Sequence, residues 1–276
     1  MIENKYTDII KECELKGEFN VEITKISAVN PDQKRKYLYT DVFSHIFYFI
    51  MRLLVIVLAP LIGFFGFRLK VKGRKNLRAA LKTGAISVSN HVLLMESLFL
   101  KNTTFKRYYY VGGVQNNKTG FGGYFINVMG NLPLSTELSS KKKLDGVITK
   151  LLDTKHLVHI DPEATMWIGY DKIRPFFNGA FHFAAKNKKP VLPIVFLITP
   201  STKEDKFFGC RYRVTMQILP PINADTSLPF KEQVVFLRET ARNNIIKAAE
   251  EFYGYPVDVT KIDFKKYYGV DKQQQR

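Results

Sequence analysis

Cysteine is nearly absent from this chain, which has only Cys13 and Cys210 in 276 residues. Two thiols are too few for a disulfide framework or a cysteine zinc site, and neither has a neighbour that marks it as a nucleophile. Acidic side chains are also scarce, 25 against 42 lysines and arginines, leaving a net charge of +17 at pH 7. An excess of that size calls for an anionic partner, either nucleic acid or a membrane surface. No internal repeat is present, and residues 1–40 lack the ordered basic and apolar regions of a secretory signal. Long apolar runs are missing too, with one exception. From Val42 to Phe67 there is no acidic residue, and Leu53 to Phe67 is free of charge. That run favours a membrane, and no nucleic-acid motif accompanies the basic residues.

The uncharged stretch is shorter than the roughly 20 residues that cross a hydrocarbon core. Arg52 and Pro60 divide the segment, and basic clusters flank both sides: Lys34, Arg35 and Lys36 before it, then Arg68, Lys70, Lys72, Arg74 and Lys75. Positive flanks stay in the cytosol, so both ends are expected on one side of the bilayer. The pattern predicts a helical pair embedded in one leaflet, with a single tilted span and a buried core helix as alternatives. The catalytic part is then expected on the cytoplasmic face.

Beyond this segment, short apolar β-type runs alternate with longer helical stretches, the pattern of a layered α/β domain with a mostly parallel or mixed central sheet flanked by helices. Strands are predicted at 85–89, 108–112, 157–160, 191–197 and 212–219, and helices at 91–100, 121–129, 143–152, 179–186 and 230–252. Four regions result: a polar segment 1–40, a membrane-associated helical segment 41–68, a catalytic domain 69–270 and a polar tail 271–276.

Ser89-Asn90-His91 is followed by Glu96 where the first strand meets a helix. Five histidines and 25 acids yield about half a His-X4-acid match by chance, so the pair alone says little. A second match, His156 to Asp161, lies on a strand, where five steps reverse the face and separate the two side chains. At His91, Ser89 or Asn90 can cap a helix whose first turn curls imidazole and carboxylate together. Helical spacing favours i,i+4, so the i,i+5 pair requires an irregular turn.

Four ordered blocks resemble the glycerolipid acyltransferase superfamily, which includes bacterial 1-acylglycerol-3-phosphate acyltransferases. His91-X4-Glu96 resembles its His-X4-Asp motif. Gly122-Gly123-Tyr124-Phe125 through Gly130-Asn131-Leu132-Pro133-Leu134 resembles a glycine-led turn into a short strand. Ile160-Asp161-Pro162-Glu163-Ala164-Thr165 resembles Phe-Pro-Glu-Gly-Thr-Arg, and Lys189 to Ile194 resembles Val-Pro-Ile-Val-Pro. Between the last two, Arg174-Pro175-Phe176 and Asn178 to Phe181 resemble a Phe-Lys-Lys-Gly-Ala-Phe stretch. The chain departs from the family in three places. Glu96 replaces Asp, adding a methylene of roughly 1.5 Å. The arginine expected after Gly130 is missing, with Ser135 and Thr136 near its place. Met166 stands where another arginine follows Thr165.

The resemblance implies acyl transfer from acyl-CoA or acyl carrier protein to lysophosphatidic acid, giving phosphatidic acid, with no bound cofactor or metal. His91 is the implied general base, and Glu96 sets its tautomer. A helix beginning near His91 should favour the neutral imidazole. Gly130, Asn131, Pro162, Glu163, Ala164 and Thr165 are the implied acceptor-binding residues, with Lys141, Lys142, Lys143, Lys172 and Arg174 supplying phosphate-directed charge. The implied partners are a phospholipid surface, a lysophospholipid and the thioester donor, and no nucleic acid. The missing arginines leave open an acyltransferase or transacylase acting on another lysophospholipid, and a membrane-binding homologue impaired in catalysis. His159 and His182, set in apolar sequence, are expected to be packed. Trp167 and Tyr170 read equally as packing or as residues that line an acyl groove or face the membrane.

Overall fold

The computed structural model describes residues 1–23, 36–113, 120–135, 137–207, 209–210 and 212–269. The tail 271–276, Thr136, and the Lys34 and Arg35 of the first basic cluster lie outside the described residues.

Among the described residues, seven strands form one sheet in the order β1-β7-β6-β2-β5-β3-β4. They are β1 Lys70–Lys72, β2 Ala85–Ser89, β3 Tyr108–Gly112, β4 Asn131–Pro133, β5 Leu157–His159, β6 Val191–Pro200 and β7 Tyr212–Ile218. All neighbours are parallel except β6 and β7. Every residue of β2 and the first eight of β6 are buried, as strands covered on both faces must be.

Two crossovers locate the crevice that matters. The chain leaves β2, passes through α4 Glu96–Lys101 and reaches β3 beyond β5; it leaves β5, passes through α7 Gly179–Lys186 and reaches β6 beyond β2. Right-handed crossovers in opposite directions place their helices on opposite faces. One core accordingly joins the sheet to α6 Leu138–Asp153, α7 and α9 Phe230–Tyr253, through Ile148, Phe181 and Ile245. The other joins it to α1 Thr7–Lys16, α3 Arg74–Thr83 and α4, through Ile10, Leu77 and Phe99. The carboxyl ends of the adjacent strands β2 and β5 are therefore where the two connections part, the usual ligand crevice of such sheets.

The apolar segment is one helix rather than a pair. α2 Val42–Leu61 runs into a π-helical turn, Ile62–Gly66, 25 residues in all, with a mean hydropathy of 2.4 over their most apolar 18-residue stretch. Pro60 lacks an N–H and the wider turn follows it directly, so the backbone shifts register without breaking. Arg52 is accommodated because it turns toward the body, where its Nη2 donates to the Thr104 carbonyl at 2.5 Å. The length, about 37 Å, suffices to cross a bilayer core. Yet Tyr37, before the helix, is buried and donates to the Ser140 carbonyl at 3.4 Å, while Phe67, after it, packs on Phe99 with centroids 5.4 Å apart. The chain thus enters and leaves the helix against the same body.

The boundary between a polar segment 1–40 and the domain is corrected for residues 1–23. Ile10, Cys13 and Ile23 are buried in the second core, and the Trp167 indole N–H donates to the Val21 carbonyl at 2.9 Å. Trp167 and Tyr170 are fully buried, so packing is their role. Part of the second basic flank belongs to α3, whose Leu77 and Ala80 face the core.

Candidate active site

β2 ends at Ser89, and the next residues form a tight turn, with α4 starting only at Glu96. The helix predicted to begin at His91 starts five residues later because the Glu96 side chain folds back over the turn. Its Oε1 accepts from the Val92 and Leu93 N–H groups at 2.6 and 2.7 Å. Its Oε2 lies 2.6 Å from His91 Nδ1. The extra methylene of glutamate is thus taken up by the late helix start, and one carboxylate both closes the turn and holds the imidazole. His91 Nε2 has no hydrogen-bond partner among the described residues, and the side chain is 17% exposed against 1% for Glu96.

A second carboxylate meets the same ring. Asp161 Oδ2, just past β5, lies 3.5 Å from His91 Nδ1. The other oxygen, Oδ1, is 2.9 Å from His159 Nε2 and accepts from the Ser89 hydroxyl at 3.3 Å. The Tyr110 hydroxyl donates to Oδ2. His159 Nδ1 is in turn 2.9 Å from the Ser87 hydroxyl, which accepts from Tyr108 at 2.6 Å. His159 is packed, as expected, but within a polar network rather than an apolar one. His156 does not join it and bonds Thr154 Oγ1 at 2.9 Å.

Burial opposes charge on His91, but Asp161 and Glu96 outweigh it and raise the imidazole to about 9. Burial likewise opposes charge on Asp161, yet His91 and His159 hold its carboxyl down at about 2. Burial raises Glu96 against the pull of His91. The neutral imidazole expected from a helix dipole is therefore corrected: the dipole begins at Glu96, and two carboxylates stabilise the imidazolium. His91, Glu96 and Asp161 offer donor atoms within 4.8 Å of one another, a spacing compatible with a cation, although their contacts are already satisfied as an ion-paired hydrogen-bond network.

Glu163 is fully buried and works on the backbone. Oε2 accepts from the His91 N–H at 3.1 Å and pairs with Arg174 Nη2 at 2.8 Å, while Oε1 accepts from the Arg174 N–H at 2.9 Å. With the Trp167 N–H donating to the His91 carbonyl at 3.0 Å, the His91 backbone is held from both sides. Ala164 occupies the motif's glycine position at φ +64°, the left-handed region where glycine is favoured. Pro162 is buried, and its carbonyl accepts from the Phe177 N–H at 2.8 Å.

The phosphate assignments to two cations do not survive. Arg174 is fully buried and points inward, donating to Thr165 Oγ1 at 2.8 Å and the Thr165 carbonyl at 2.5 Å, and lying 4.6 Å from the Trp167 ring. Thr165 is thereby engaged as well. Lys172 is buried 3.4 Å from Glu14, with the Tyr267 ring at 4.8 Å. It ties α1 to α10 Phe264–Tyr267. Lys141, Lys142 and Lys143 are exposed on the first two turns of α6. Gly130 and Asn131 shape the start of β4: Gly130 has φ +96°, and an added Cβ would come within 2.9 Å of the Tyr108 carbonyl oxygen. Asn131 bonds Asn127 at 3.2 Å. The sequence reasoning missed Asp161. The signal was available, since a charged residue fills the aromatic position of the third block.

A histidine held by a carboxylate at the switch point of a mostly parallel sheet, with one ring nitrogen free, defines the class: an α/β protein equipped for proton transfer to or from a bound ligand. The Acyltransferase family model matches residues 68–197. That match spans just under half of the chain and supports an acyltransferase-type domain over residues 68–197. Among solved structures, it is similar to the 1-acyl-sn-glycerophosphate acyltransferase PlsC from Thermotoga maritima, with a TM-score of 0.55 and 17% identity over 77% of this chain and 88% of that one. No curated protein matches the sequence.

Proposed function

We propose that this chain transfers a fatty acyl group from an acyl thioester, on CoA or acyl carrier protein, to the free hydroxyl of lysophosphatidic acid. The observation that carries the reading is the 2.6 Å contact of Glu96 Oε2 with His91 Nδ1, which leaves Nε2 as the nitrogen available to substrate. Nε2 takes the hydroxyl proton as the oxygen forms the ester bond. The carbon–sulfur bond then breaks, and the proton passes from His91 to the departing thiolate. Glu96 and Asp161 stabilise the imidazolium through the step, and Glu163 and Arg174 fix the turn that carries it.

α2 is proposed to lie in one leaflet on the cytosolic side, because both of its ends pack on one body and a crossing helix would part them. An amphipathic acceptor then reaches His91 from the bilayer surface. The test is product formation from labelled acyl-CoA and lysophosphatidate by the purified protein. Undiminished turnover in His91→Ala would reject the mechanism.

A second acceptor reading has its own support. Arg174 and Lys172, the cations nearest the third motif in sequence, are occupied inside the protein. A lysophospholipid without a terminal phosphomonoester fits such a site, and a panel of lyso-acceptors ranks the two. A membrane-binding homologue impaired in catalysis would turn over no lyso-acceptor in that panel, and the contact of Glu96 with the imidazole supports an active site instead.

A further inference from the structure

A basic cleft lies between the membrane helix and the body, at the far end of α4 from Glu96. It is lined by Tyr48 and Arg52 of α2, Lys101 at the end of α4, Lys106 and Tyr108 at the start of β3, and Met129, whose side chains close on one another and leave no room for a water-sized sphere until the lysines move. Arg52 is 8% exposed, and its Nε and Nη1 are buried with no hydrogen-bond partner. Among the described residues its one hydrogen bond is that to the Thr104 carbonyl. Arg107 sits 3.6 Å over the Tyr48 ring, beside the same cleft.

Among the described residues, no carboxylate balances these cations. The charges acting on Lys101 are those of Arg52 and Arg107, which together with burial push its ammonium down to about 8. Lys106 spends two of its three donors on the Thr154 and Lys155 carbonyls, at 2.8 and 2.6 Å, and keeps one. A buried guanidinium with vacant donors and only cations around it is strongly unfavourable unless an anion joins it. The vacant N–H groups match a tetrahedral oxyanion.

We propose that this cleft binds the phosphate of an anionic bilayer lipid, as a site separate from the catalytic one. The position selects a lipid over a solute. Phe49, Ile50, Leu53 and Leu54, flanking Arg52 on α2, are exposed and apolar, so Arg52 marks the boundary between the bilayer-facing side of the helix and the body. Basic pockets beside membrane helices bind anionic headgroups in this way. The headgroup enters by moving Lys101 and Lys106, whose long side chains form the cleft wall. The site orients the body on anionic membrane and does not depend on which acceptor is acylated.

The experiment uses the full chain with phosphatidylcholine vesicles, with the same vesicles containing phosphatidylglycerol, and with phosphatidylcholine plus inorganic phosphate at matched ionic strength. Thermal unfolding and vesicle cosedimentation are read in each. Phosphatidylglycerol is expected to raise Tm and tighten binding of the wild type. Arg52→Gln should lose that rise, weaken binding to the anionic vesicles by at least about fivefold, and be no less stable than wild type on phosphatidylcholine alone. Lys247→Gln, exposed on the opposite core layer, serves as the charge control and should respond as wild type does. If Arg52→Gln does not fold, Lys101→Gln gives the same reading. An unchanged phosphatidylglycerol response in both cleft variants overturns the proposal, as does a Tm rise produced fully by inorganic phosphate.

Discussion

Asp161 stands 3.5 Å from His91 Nδ1, just past the strand next to the one that delivers the histidine. A phenylalanine here, as in the motif Phe-Pro-Glu-Gly-Thr-Arg that this stretch resembles, would leave one carboxylate at the imidazole, whereas this chain presents two.

The pH dependence of turnover should show it. With His91 raised to about 9, only about 1% of the enzyme holds a neutral base at pH 7. The rate should climb nearly tenfold per pH unit from 7 toward 9 and then level. Asp161→Asn and Asp161→Phe remove a charge that favours the imidazolium, so their rising limb should move to lower pH. A limb that stays in place in both variants would exclude Asp161 from setting the base.

Stability carries the same linkage. His91 has a folded pKa above its unfolded value near 6.5, so its contribution is complete below pH 6.5 and lost as pH rises through about 9. Asp161 is depressed, so its contribution is present above about 3.8 and lost as pH falls toward 2. Urea midpoints measured across pH 6 to 10 should decline for wild type and decline less for His91→Gln.

Glu96→Asp tests how closely the turn is matched to its carboxylate. The shorter side chain cannot reach Nδ1 and both backbone N–H groups from the present helix start, and a misplacement near 1 Å costs about 100-fold in kcat. Steady-state kinetics should show this loss with KM little changed. Equal or higher kcat would show that the turn re-forms around aspartate.

Arg174→Met would leave Glu163 buried without its cation. The expected loss is about 3–5 kcal/mol in equilibrium unfolding. An arginine that served a substrate phosphate would instead change KM and leave stability near that of wild type.

Ala164→Gly should stabilise the protein by about 1 kcal/mol, because φ +64° crowds an alanine Cβ against the neighbouring backbone and leaves glycine free. Differential scanning calorimetry would register a higher Tm. An unchanged or lower Tm would place the strain elsewhere.

Much of the layout was legible from residues 85 to 253. Strands at 85–89 and 108–112 and the helix at 179–186 have the predicted bounds, because buried parallel strands and a core-facing helix leave continuous or periodic apolar patterns. α1 and α3 were not legible, since a few apolar contacts in a charged sequence suffice once a core exists to receive them. The start of α4 was misplaced because it depends on one side chain bonding back to the turn, which apolar spacing does not encode.

The sequence by itself determined the α/β class, a long apolar helical segment and the pairing of His91 with Glu96, all of which rest on local order and spacing. Only the tertiary structure decided what surrounds them. It brought Asp161 to the imidazole, turned Arg174 and Lys172 inward, and kept both ends of α2 on one body, because these relations join residues on separate elements and depend on which strands lie side by side.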